Sequence, residues 1–368
     1  MKIAVDVKVL TYNHLGGIGN YTKNVLFGLA KLDRENEYVL CANAPILHKV
    51  TAPNFSERIL AFPRDKYFAY IGLPFLFGRE RFDLLFLPSM AIPLFNRPKT
   101  VMVCHDLYAD KTSLRKKLFM DFSVNYALSR ADHIIADSMS TKNDVLSLSN
   151  VKEEDISVIP LAYDVELFAP ADASRIAAVK EKYSLKSRYI INVSSLFCYR
   201  KNIVNQIRAF KITKEKYGDD LQFFITGRKD NAHSAMLAEI EKLGLKKNVI
   251  VEENLAYEDL PALYSGAEAL SFASLYEGFG LPALEAMACG CPVISSNNSS
   301  LPEVCGNAAL YVDPSDVNSI ADGMMKVLKD EKQREQLIIK GLKRVKSFSW
   351  DITARKTLDV IRKLGVDK

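Results

Sequence analysis

The stretch SLYEGFGLPALEAMACGCPVISSN, residues 274–297, decides the fold of the second half of the chain. Pro282 suits the first position of a helix because its missing N–H would have no partner there, and Gly290 suits the left-handed residue that ends one. The apolar runs on either side, EALSFAS and PVISS, predict buried strands. We therefore predict a strand, a loop, a helix of about two turns and a second strand, a unit that binds ligands at the carboxyl end of its first strand.

The loop of this unit suits a phosphorylated sugar. Gly278 and Gly280 allow the backbone N–H groups of 279–281 to approach a ligand, and the helix start favours an anion such as a diphosphate. Glu277 and Glu285 stand on either side of the loop, and their carboxylates accept hydrogen bonds from hydroxyls. We assign the loop Glu277 to a sugar ring and Glu285, one turn into the helix, to a ribose. The alternative is a solvated loop glutamate and a helix-start glutamate favoured by the helix dipole.

The spacing of the two glutamates within EGFGLPALEAMACGCPVI resembles the nucleotide-sugar site of the retaining glycosyltransferase family 4, of the mannosyltransferase-like group 1 type. This resemblance implies the GT-B architecture, an α/β fold of two facing Rossmann-like doubly wound domains with the active site in the cleft between them. Further segments follow the family's order and spacing: GGIGNYT (16–22), HDLY (105–108), YRKN (199–202), LYSGAEALSFAS (263–274), LPEVCGNAALYVDPSD (301–316) and FSW (348–350).

Length and pattern agree with two domains. A chain of 368 residues with 48% hydrophobic content exceeds the size at which one core keeps growing. Strands alternate with helices, which predicts doubly wound parallel sheets, and LAYDVELFAPADAS (161–174) interrupts the alternation. We predict an N-terminal Rossmann-like acceptor-binding domain over 1–165 and a C-terminal nucleotide-sugar-binding domain over 166–349. A closing helix over 350–368 crosses back to the first domain in the resembled family.

YRKN places two adjacent cations, Arg200 and Lys201, directly after a predicted strand. The resemblance assigns both to the donor phosphates, where a bidentate guanidinium and an ammonium would stabilise the departing nucleoside diphosphate. A solvated basic pair is the alternative, but cations at a helix start oppose the dipole. The chain departs from the family at Ser194 and Ser195, where a glycine is usual, and crowding there could alter the donor pocket.

The glycine turn GGIGNYT differs from the dinucleotide fingerprint. Thr22 takes the third glycine position, and the second strand ends in CANA without an acid for a ribose, which disfavours an NAD enzyme. The resemblance implies instead that Gly16 and Gly17 donate backbone N–H groups to the donor diphosphate. A tight turn from strand to helix without a ligand is the alternative.

Polar residues also end two strands of the first domain. His105 and Asp106 follow the apolar VMVC, and Ser138 ends HIIADS on the same rim. By resemblance His105 contacts the transferred sugar and Asp106 lies near the acceptor, whereas the residues alone fit a local hydrogen-bonded turn equally well.

The complete set of expected site residues is as follows. Catalytic: Arg200, Lys201, His105 and Glu277; donor-binding: Gly16, Gly17, Ser138, Asn254, Leu255, Gly278, Phe279, Gly280, Leu281 and Glu285; acceptor side: Asp106. No two aspartates stand at i and i+2, so the Asp-x-Asp metal clamp is missing, and we expect neither a metal nor a cofactor. Positive side chains and helix dipoles would replace the metal, and the family implies front-face attack with retention.

We expect transfer of a hexose from a nucleoside-diphosphate sugar to a hydroxyl of a glycan or lipid-linked acceptor in surface polysaccharide synthesis. GGIGNYT and YRKN favour GDP-mannose, and UDP-hexoses remain open. A sugar-nucleotide epimerase of the same fold and a non-catalytic sugar-nucleotide-binding protein are the alternatives.

The net charge of +5 is concentrated in residues 51–130, which carry 12 Lys and Arg against 7 Asp and Glu. Aromatic residues and leucines alternate with cations over 62–82 and 111–122, a pattern that favours contact with an anionic membrane, although basic residues snorkelling over a core face would look alike. No motif for nucleic acid appears. Without an apolar run of 18 residues or a signal peptide, we expect a cytoplasmic protein, peripheral on the inner membrane face, with its six cysteines reduced.

Overall fold

The computed structural model describes residues 1–62, 65–107, 123–186, 188–194, 199–218, 220–227 and 233–366. The chain forms two compact units, one of residues 1–161 with the segment from Ser349 onward, the other of residues 162–348. The sequence places the change of domain near residue 165, and the chain passes between the units at 161–162.

The strands are β1 Lys2–Asp6, β2 Glu37–Ala42, β3 Phe55–Ile59, β4 Leu84–Leu87, β5 Lys99–Cys104, β6 His133–Ala136, β7 Ile156–Val158, β8 Arg188–Val193, β9 Leu221–Thr226, β10 Val249–Glu252, β11 Ala269–Phe272, β12 Val293–Ser296 and β13 Ala309–Val312. The helices that bear on the argument are α1 Gly17–Leu32, α2 Leu73–Phe77, α3 Met139–Leu148, α4 Ala173–Lys182, α5 Ile203–Tyr217, α6 His233–Lys242, α7 Leu260–Ser265, α8 Leu281–Ala288, α9 Leu301–Cys305, α10 Val317–Lys329, α11 Glu331–Arg344 and α12 Trp350–Val366.

The first unit contains a parallel sheet in the order β3-β2-β1-β4-β5-β6-β7. Apolar runs predicted its central strands correctly, because strands covered on both faces need apolar side chains throughout. The edge strand β3 was not predicted. Its sequence FSERI carries two charges and is only partly buried, as is usual at a sheet edge.

The second unit contains a parallel sheet in the order β10-β9-β8-β11-β12-β13. The unit of strand, loop, short helix and strand predicted over 274–297 is β11, α8 and β12, which confirms that prediction. Both sheets carry helices in βαβ connections, so the predicted α/β class with two doubly wound domains is confirmed.

The strand order reverses once in each sheet, and these points determine where polar residues gather. In the first sheet the reversal lies between β1 and β4; in the second it lies between β8 and β11. Doubly wound sheets bind ligands at the carboxyl ends of the strands beside such a point. The segment after β8 contains Arg200 and Lys201, and the segment after β11 contains Glu277.

The chain returns to the first unit through α12, which packs on α1. A Cβ built at Gly28 of α1 would lie 2.3 Å from the Cβ of Ala354, so the missing side chain permits this close approach. Thr353 also donates a hydrogen bond of 2.8 Å to the carbonyl of Pro160. The C-terminal helix is therefore an integral part of the first unit.

Cys41, Cys104, Cys289, Cys291 and Cys305 are free and buried, as predicted for reduced packing residues. Cys198 lies outside the described residues.

Candidate active site

The glycine loop 277–280 is buried and leads directly into α8. Gly280, the residue before the helix, has φ +106° and ψ 45°, a left-handed conformation that residues with a Cβ rarely adopt. This conformation turns the loop into the helix, and the N–H groups of a first helical turn have no partner within the helix. Gly278, Phe279, Gly280 and Leu281 thus form a continuous segment at the N-terminus of α8, the arrangement that anion binding requires.

Two serines after β12 hold this loop in place. The hydroxyl of the fully buried Ser300 lies 2.9 Å from the carbonyl oxygens of both Glu277 and Phe279 and donates to them. The N–H of Glu277 donates to Ser299 Oγ at 3.1 Å. These serines were not predicted to be site residues, although they follow β12, the strand beside β11, and polar residues at such a position indicate a binding site.

Lys201 and Glu277 form an ion pair at the centre of the second unit's site. Lys201 Nζ lies 2.7 Å from Glu277 Oε1 and 2.8 Å from Oε2, and the two side chains are only 11% and 7% exposed. The ammonium also lies 5.7 Å from the ring centroid of Phe272. Burial of either charge alone would be costly, so each requires the other.

The segment that carries the two cations is anchored from both ends. Leu275 N donates to the carbonyl of Arg200 at 2.7 Å. Asn202 is buried, adopts φ 58°, and donates through Nδ2 to the carbonyls of Ala273 and Pro314 at 2.9 and 2.6 Å. These bonds tie the segment to the end of β11. The structure therefore brings the half-buried Arg200 together with Lys201, Glu277 and the glycine loop.

Gln206 of α5 supports the same segment from the core. It is fully buried; its Nε2 donates to the carbonyl of Lys201 at 2.9 Å, and its Oε1 accepts from Ser271 Oγ at 2.7 Å. A glutamine inside a helical pattern is typical of a solvated face, so Gln206 was not predicted to be a site residue.

Ser194, which stands where the resembled family usually has glycine, ends β8 with its hydroxyl turned to its own strand. Ser194 Oγ donates to Asn192 Oδ1 at 2.7 Å, and Ser194 N donates to the carbonyl of Thr226 at 3.1 Å. Ser195 lies outside the described residues.

Glu285 lies one turn into α8, on the predicted side of the glycine loop. Burial raises the pKa of its carboxyl to about 7; the hydrogen bond from Tyr264 at 3.4 Å opposes this shift, and the charge of Asp164 adds to it. The residue is half-buried. The geometry suits a hydroxyl partner.

Asn254 and Leu255, expected beside the base of the donor, follow β10 at the edge of the second sheet. Asn254 is exposed and its N–H donates to Glu252 Oε1 at 2.8 Å, while Leu255 is half-buried. The segment continues to Tyr257, whose ring packs on Phe168 with centroids 5.7 Å apart. An aromatic side chain therefore lies near the expected base position.

In the first unit, Gly16 caps α1 and Gly17 begins it. Both glycines are exposed, and a Cβ built on either would meet nothing within 4 Å. Neither has a positive φ, so the chain conformation does not demand glycine here. Open space before a helix of 16 residues is what ligand approach to its N–H groups requires.

His105 follows β5 with both ring nitrogens hydrogen-bonded. Nδ1 lies 2.6 Å from Asp137 Oδ2, and Nε2 lies 3.0 Å from the carbonyl oxygen of Pro88. Burial lowers the pKa of the imidazole, but the charge and hydrogen bond of Asp137 outweigh it and raise the pKa above its ordinary value. The ring of Tyr21 packs against the imidazole with centroids 5.0 Å apart. Ser138 was predicted to be a site residue, whereas Asp137, the residue before it, was not.

Asp106 is half-buried beside His105. Ser138 is buried and caps α3, since its Oγ accepts from Thr141 N at 3.0 Å. The Ser138 hydroxyl therefore has a structural role at the start of α3. Tyr108, the last residue of HDLY, lies outside the described residues, as does the basic stretch 111–122.

Within the described ranges, no three His, Cys, Asp or Glu side chains are placed to hold a metal ion together. The same part of the chain contains no helix with the length and apolar character needed to cross a membrane.

Two parallel-sheet α/β units with polar residues after the strands beside each reversal define the class: this is a GT-B fold. The structure is similar to sucrose-phosphate synthase from Thermosynechococcus elongatus, with a TM-score of 0.80 at 20% identity over 100% of both chains.

The family model described as "Glycosyl transferases group 1" matches residues 175–344, and that of "Glycosyltransferase Family 4" matches residues 15–167. The protein is a glycosyltransferase and belongs to the family 4, group 1 type, which confirms the resemblance found in the sequence.

Two relatives from Escherichia coli are similar to this chain. An O-antigen chain mannosyltransferase B is 28% identical over an alignment 391 positions long, which covers 99% of this chain and 100% of the relative. A serotype-specific mannosyltransferase WbdA is 34% identical over 289 residues, which cover 75% of this chain but 35% of that relative. The match with the second relative thus spans about a third of its length.

Proposed function

We propose that this glycosyltransferase moves a hexose, with retention of configuration, from a nucleoside-diphosphate sugar to a hydroxyl of a glycan or lipid-linked acceptor in surface polysaccharide synthesis. The observation that carries the proposal is the buried Lys201–Glu277 pair, with Nζ to oxygen distances of 2.7 and 2.8 Å, beside the glycine loop that opens α8. A charged pair fixed next to backbone donors suits a ligand with both hydroxyls and a diphosphate.

The residues divide the work by charge. The N-terminus of α8 and Arg200 bind the donor diphosphate, and their positive charge stabilises the negative charge that grows when the C–O bond breaks. Glu277 accepts a hydrogen bond from a sugar hydroxyl, while Lys201 holds that carboxylate in place. Glu285 accepts from the ribose. A phosphate oxygen of the leaving group takes the proton of the attacking hydroxyl, so the reaction needs neither a protein nucleophile nor a metal ion.

We propose mannose as the sugar and GDP as the nucleotide. The printed activities of the two bacterial relatives, both mannosyltransferases, support mannose. Motif similarity in GGIGNYT and YRKN supports GDP, with UDP as the competing nucleotide.

The first experiment is thermal unfolding with GDP, UDP, dTDP and ADP and with the matching sugar nucleotides. Binding at 100 times the dissociation constant should stabilise the protein by about 2.7 kcal/mol. We expect one base to raise the melting temperature, and Arg200→Ala to abolish that rise. Arg208→Ala is the matched control, since Arg208 is 45% exposed and pairs with Glu239 at 2.7 Å. No shift with any nucleotide would overturn the proposal.

A second experiment separates transfer from epimerisation. The preferred sugar nucleotide is incubated with lipid-linked and free glycan acceptors, and the products are analysed by NMR. We expect a glycoside with the donor's anomeric configuration together with free nucleoside diphosphate. An altered sugar without glycoside would support an epimerase, and an inverted anomer would refute retention.

We further propose that the first unit contacts an anionic membrane at the inner face of the cell membrane. Phe75 of α2, Leu94 and Phe95 are 57%, 46% and 47% exposed, and the two phenyl rings lie 6.1 Å apart. Arg79 and Arg81 follow in the chain and are exposed. Exposed aromatic residues beside cations suit lipid headgroups.

Sedimentation with vesicles containing anionic phosphatidylglycerol tests this contact. We expect binding at low salt that weakens when Phe75 and Phe95 are replaced by serine. Ile339→Ser on α11 is the matched control, because Ile339 is 60% exposed and belongs to the second unit. Equal sedimentation of all three proteins, or none with anionic vesicles, would refute the membrane contact.

A further inference from the structure

Asp137 is a buried carboxylate that the proposed reaction does not use. It follows β6, is 1% exposed, and lies with Oδ2 2.6 Å from Nδ1 of His105. A charged group in such a position is rare without a partner, because burial penalises the ionised form. The charge of the Asp137 carboxyl therefore depends on the protonation of the His105 imidazole.

The hydrogen bonds restrict where the protons of this pair sit. The carbonyl of Pro88 can only accept, so His105 Nε2, 3.0 Å away, carries a hydrogen. An ionised Asp137 can also only accept, so Nδ1 then carries a hydrogen too and the ring is an imidazolium. The competing arrangement is a neutral imidazole whose Nδ1 accepts a hydrogen bond from the O–H of a protonated Asp137.

Burial raises the pKa of the Asp137 carboxyl, whereas the charge and hydrogen bond of His105 oppose that rise, so the surrounding groups bear on which partner holds the proton. Asp106 adds negative charge next in the chain. Burial raises the pKa values of the Tyr21 phenol and the Cys104 thiol, so both stay neutral near pH 7. Tyr21 holds the ring from the side with centroids 5.0 Å apart and an angle of 78° between the planes. The charges of Asp137 and Asp106 both raise the pKa of His105 and so favour the protonated imidazole.

We propose that Asp137 is a positioning residue that fixes the ring of His105 and keeps both of its nitrogens protonated. The inference rests on the proposed function only for the role of His105 beside the sugar. An imidazolium has no lone pair with which to take a proton from the acceptor hydroxyl. His105 then acts as a fixed cation whose two N–H groups donate to Asp137 and Pro88, and the proton goes to the leaving phosphate.

The charge state of His105 can be measured without donor or acceptor, by NMR of protein with nitrogen-15 in its histidines. We expect both ring nitrogens of His105 to give imidazolium signals from pH 6 to pH 8. His133 is an internal reference: its Nε2 lies 2.9 Å from Ser157 Oγ, and burial lowers its pKa. Neutral signals from His105 at pH 7 in the unaltered protein would overturn the proposal, whatever any variant does.

Asp137→Asn tests the cause. We expect the pKa of His105, but not that of His133, to fall when the Asp137 charge is removed, and kcat/KM to decline as pH rises through the lowered pKa. Glu154→Gln removes an exposed carboxylate of the same unit, 73% exposed and paired with Lys152, and should change neither quantity. An unshifted His105 in Asp137→Asn would refute the assignment.

The two proposals fail separately. If the NMR result holds but no donor is turned over, the proposed function is wrong and the charge assignment stands. If transfer occurs while His105 is neutral at pH 7, the assignment is wrong and the function stands. Should Asp137→Asn not fold, the titration of the unaltered protein still decides the inference.

Discussion

At the scale of single residues, the Lys201–Glu277 pair determines the electrostatics of the second unit's site. With exposures of 11% and 7%, the two side chains have lost most of their hydration, and their mutual hydrogen bonds replace it. The pair is neutral as a whole, so a diphosphate can approach the N-terminus of α8 without repulsion from an isolated carboxylate. Removal of either partner exposes the cost of burying the other.

Replacement of Lys201 by alanine should therefore lower the free energy of unfolding by about 3–5 kcal/mol, since Glu277 is left buried without a counter-charge. Urea unfolding measures this loss. Lys246→Ala is the matched control, because its pair with Glu241 is 68% and 67% exposed and should be worth under about 1 kcal/mol. The combination Lys201→Met with Glu277→Leu should recover much of the loss. Equal effects of Lys201→Ala and Lys246→Ala would contradict the account.

Glu285 should make stability depend on pH above the range in which an exposed carboxyl titrates. Burial raises its pKa in the folded protein from 4.5 to about 7, so between those values the folded state binds the proton more tightly. Its contribution to stability is present below about pH 4.5 and is lost as pH rises through about 7. We expect the melting temperature of Glu285→Gln, relative to the unaltered protein, to rise between pH 5 and pH 8. Parallel pH profiles of the two proteins would show that the carboxyl titrates normally.

Many candidate site residues were predicted from the sequence, but the contacts between them were not. Glu277 and Lys201 were both singled out and assigned separate tasks, because 76 residues separate them and only the pairing of β8 with β11 brings them together. Asp137 and Gln206 were missed for a related reason. A carboxylate at a strand end and a glutamine in a helix have many ordinary roles, and burial alone distinguishes these two.

At the scale of elements, two helices of the second unit begin after a residue in a left-handed conformation. Gly280 precedes α8 with φ +106°, and Asn202 precedes α5 with φ 58°. Asparagine tolerates this conformation and offers Nδ2 to two carbonyls, whereas a side chain at Gly280 would meet Leu301. In each case one left-handed residue sets the direction in which the helix begins. Its contacts explain why that residue is glycine in one case and asparagine in the other.

Gly280→Ala should destabilise the second unit and disturb the N-terminus of α8. A Cβ there would lie 2.5 Å from Leu301 Cδ2, and the positive φ costs about 1–3 kcal/mol for residues other than glycine. Gly17→Ala is the control for stability, because Gly17 begins α1, has open space where a Cβ would lie and does not have a positive φ. Thermal unfolding should show a loss for the first variant and none for the second. If both melt together with the unaltered protein, the left-handed turn is not required.

At the scale of the whole molecule, the two doubly wound parallel sheets were predicted from the alternation of apolar runs and helices. The edge strand β3 was not predicted because its charged residues resemble a loop. The return of α12 to the first domain was implied by the resemblance alone, and its packing on α1 was not predicted. No local pattern in the sequence shows that Gly28 and Ala354 touch, since small residues mark a close approach without naming the partner. Predicting such contacts requires the three-dimensional neighbours of each helix.

The contact between α1 and α12 can be tested by exchanging its two small residues. Gly28→Ala places a Cβ 2.3 Å from that of Ala354 and should cost about 1–3 kcal/mol. Ala354→Gly should cost about 1 kcal/mol through helix propensity. Combined, the two changes restore the space, so the double variant should be more stable than the sum of the single losses predicts. Chemical unfolding of the four proteins measures this coupling. Additive losses would mean that the helices separate to accept the methyl group, and that the close approach does not hold the returning chain on the first unit.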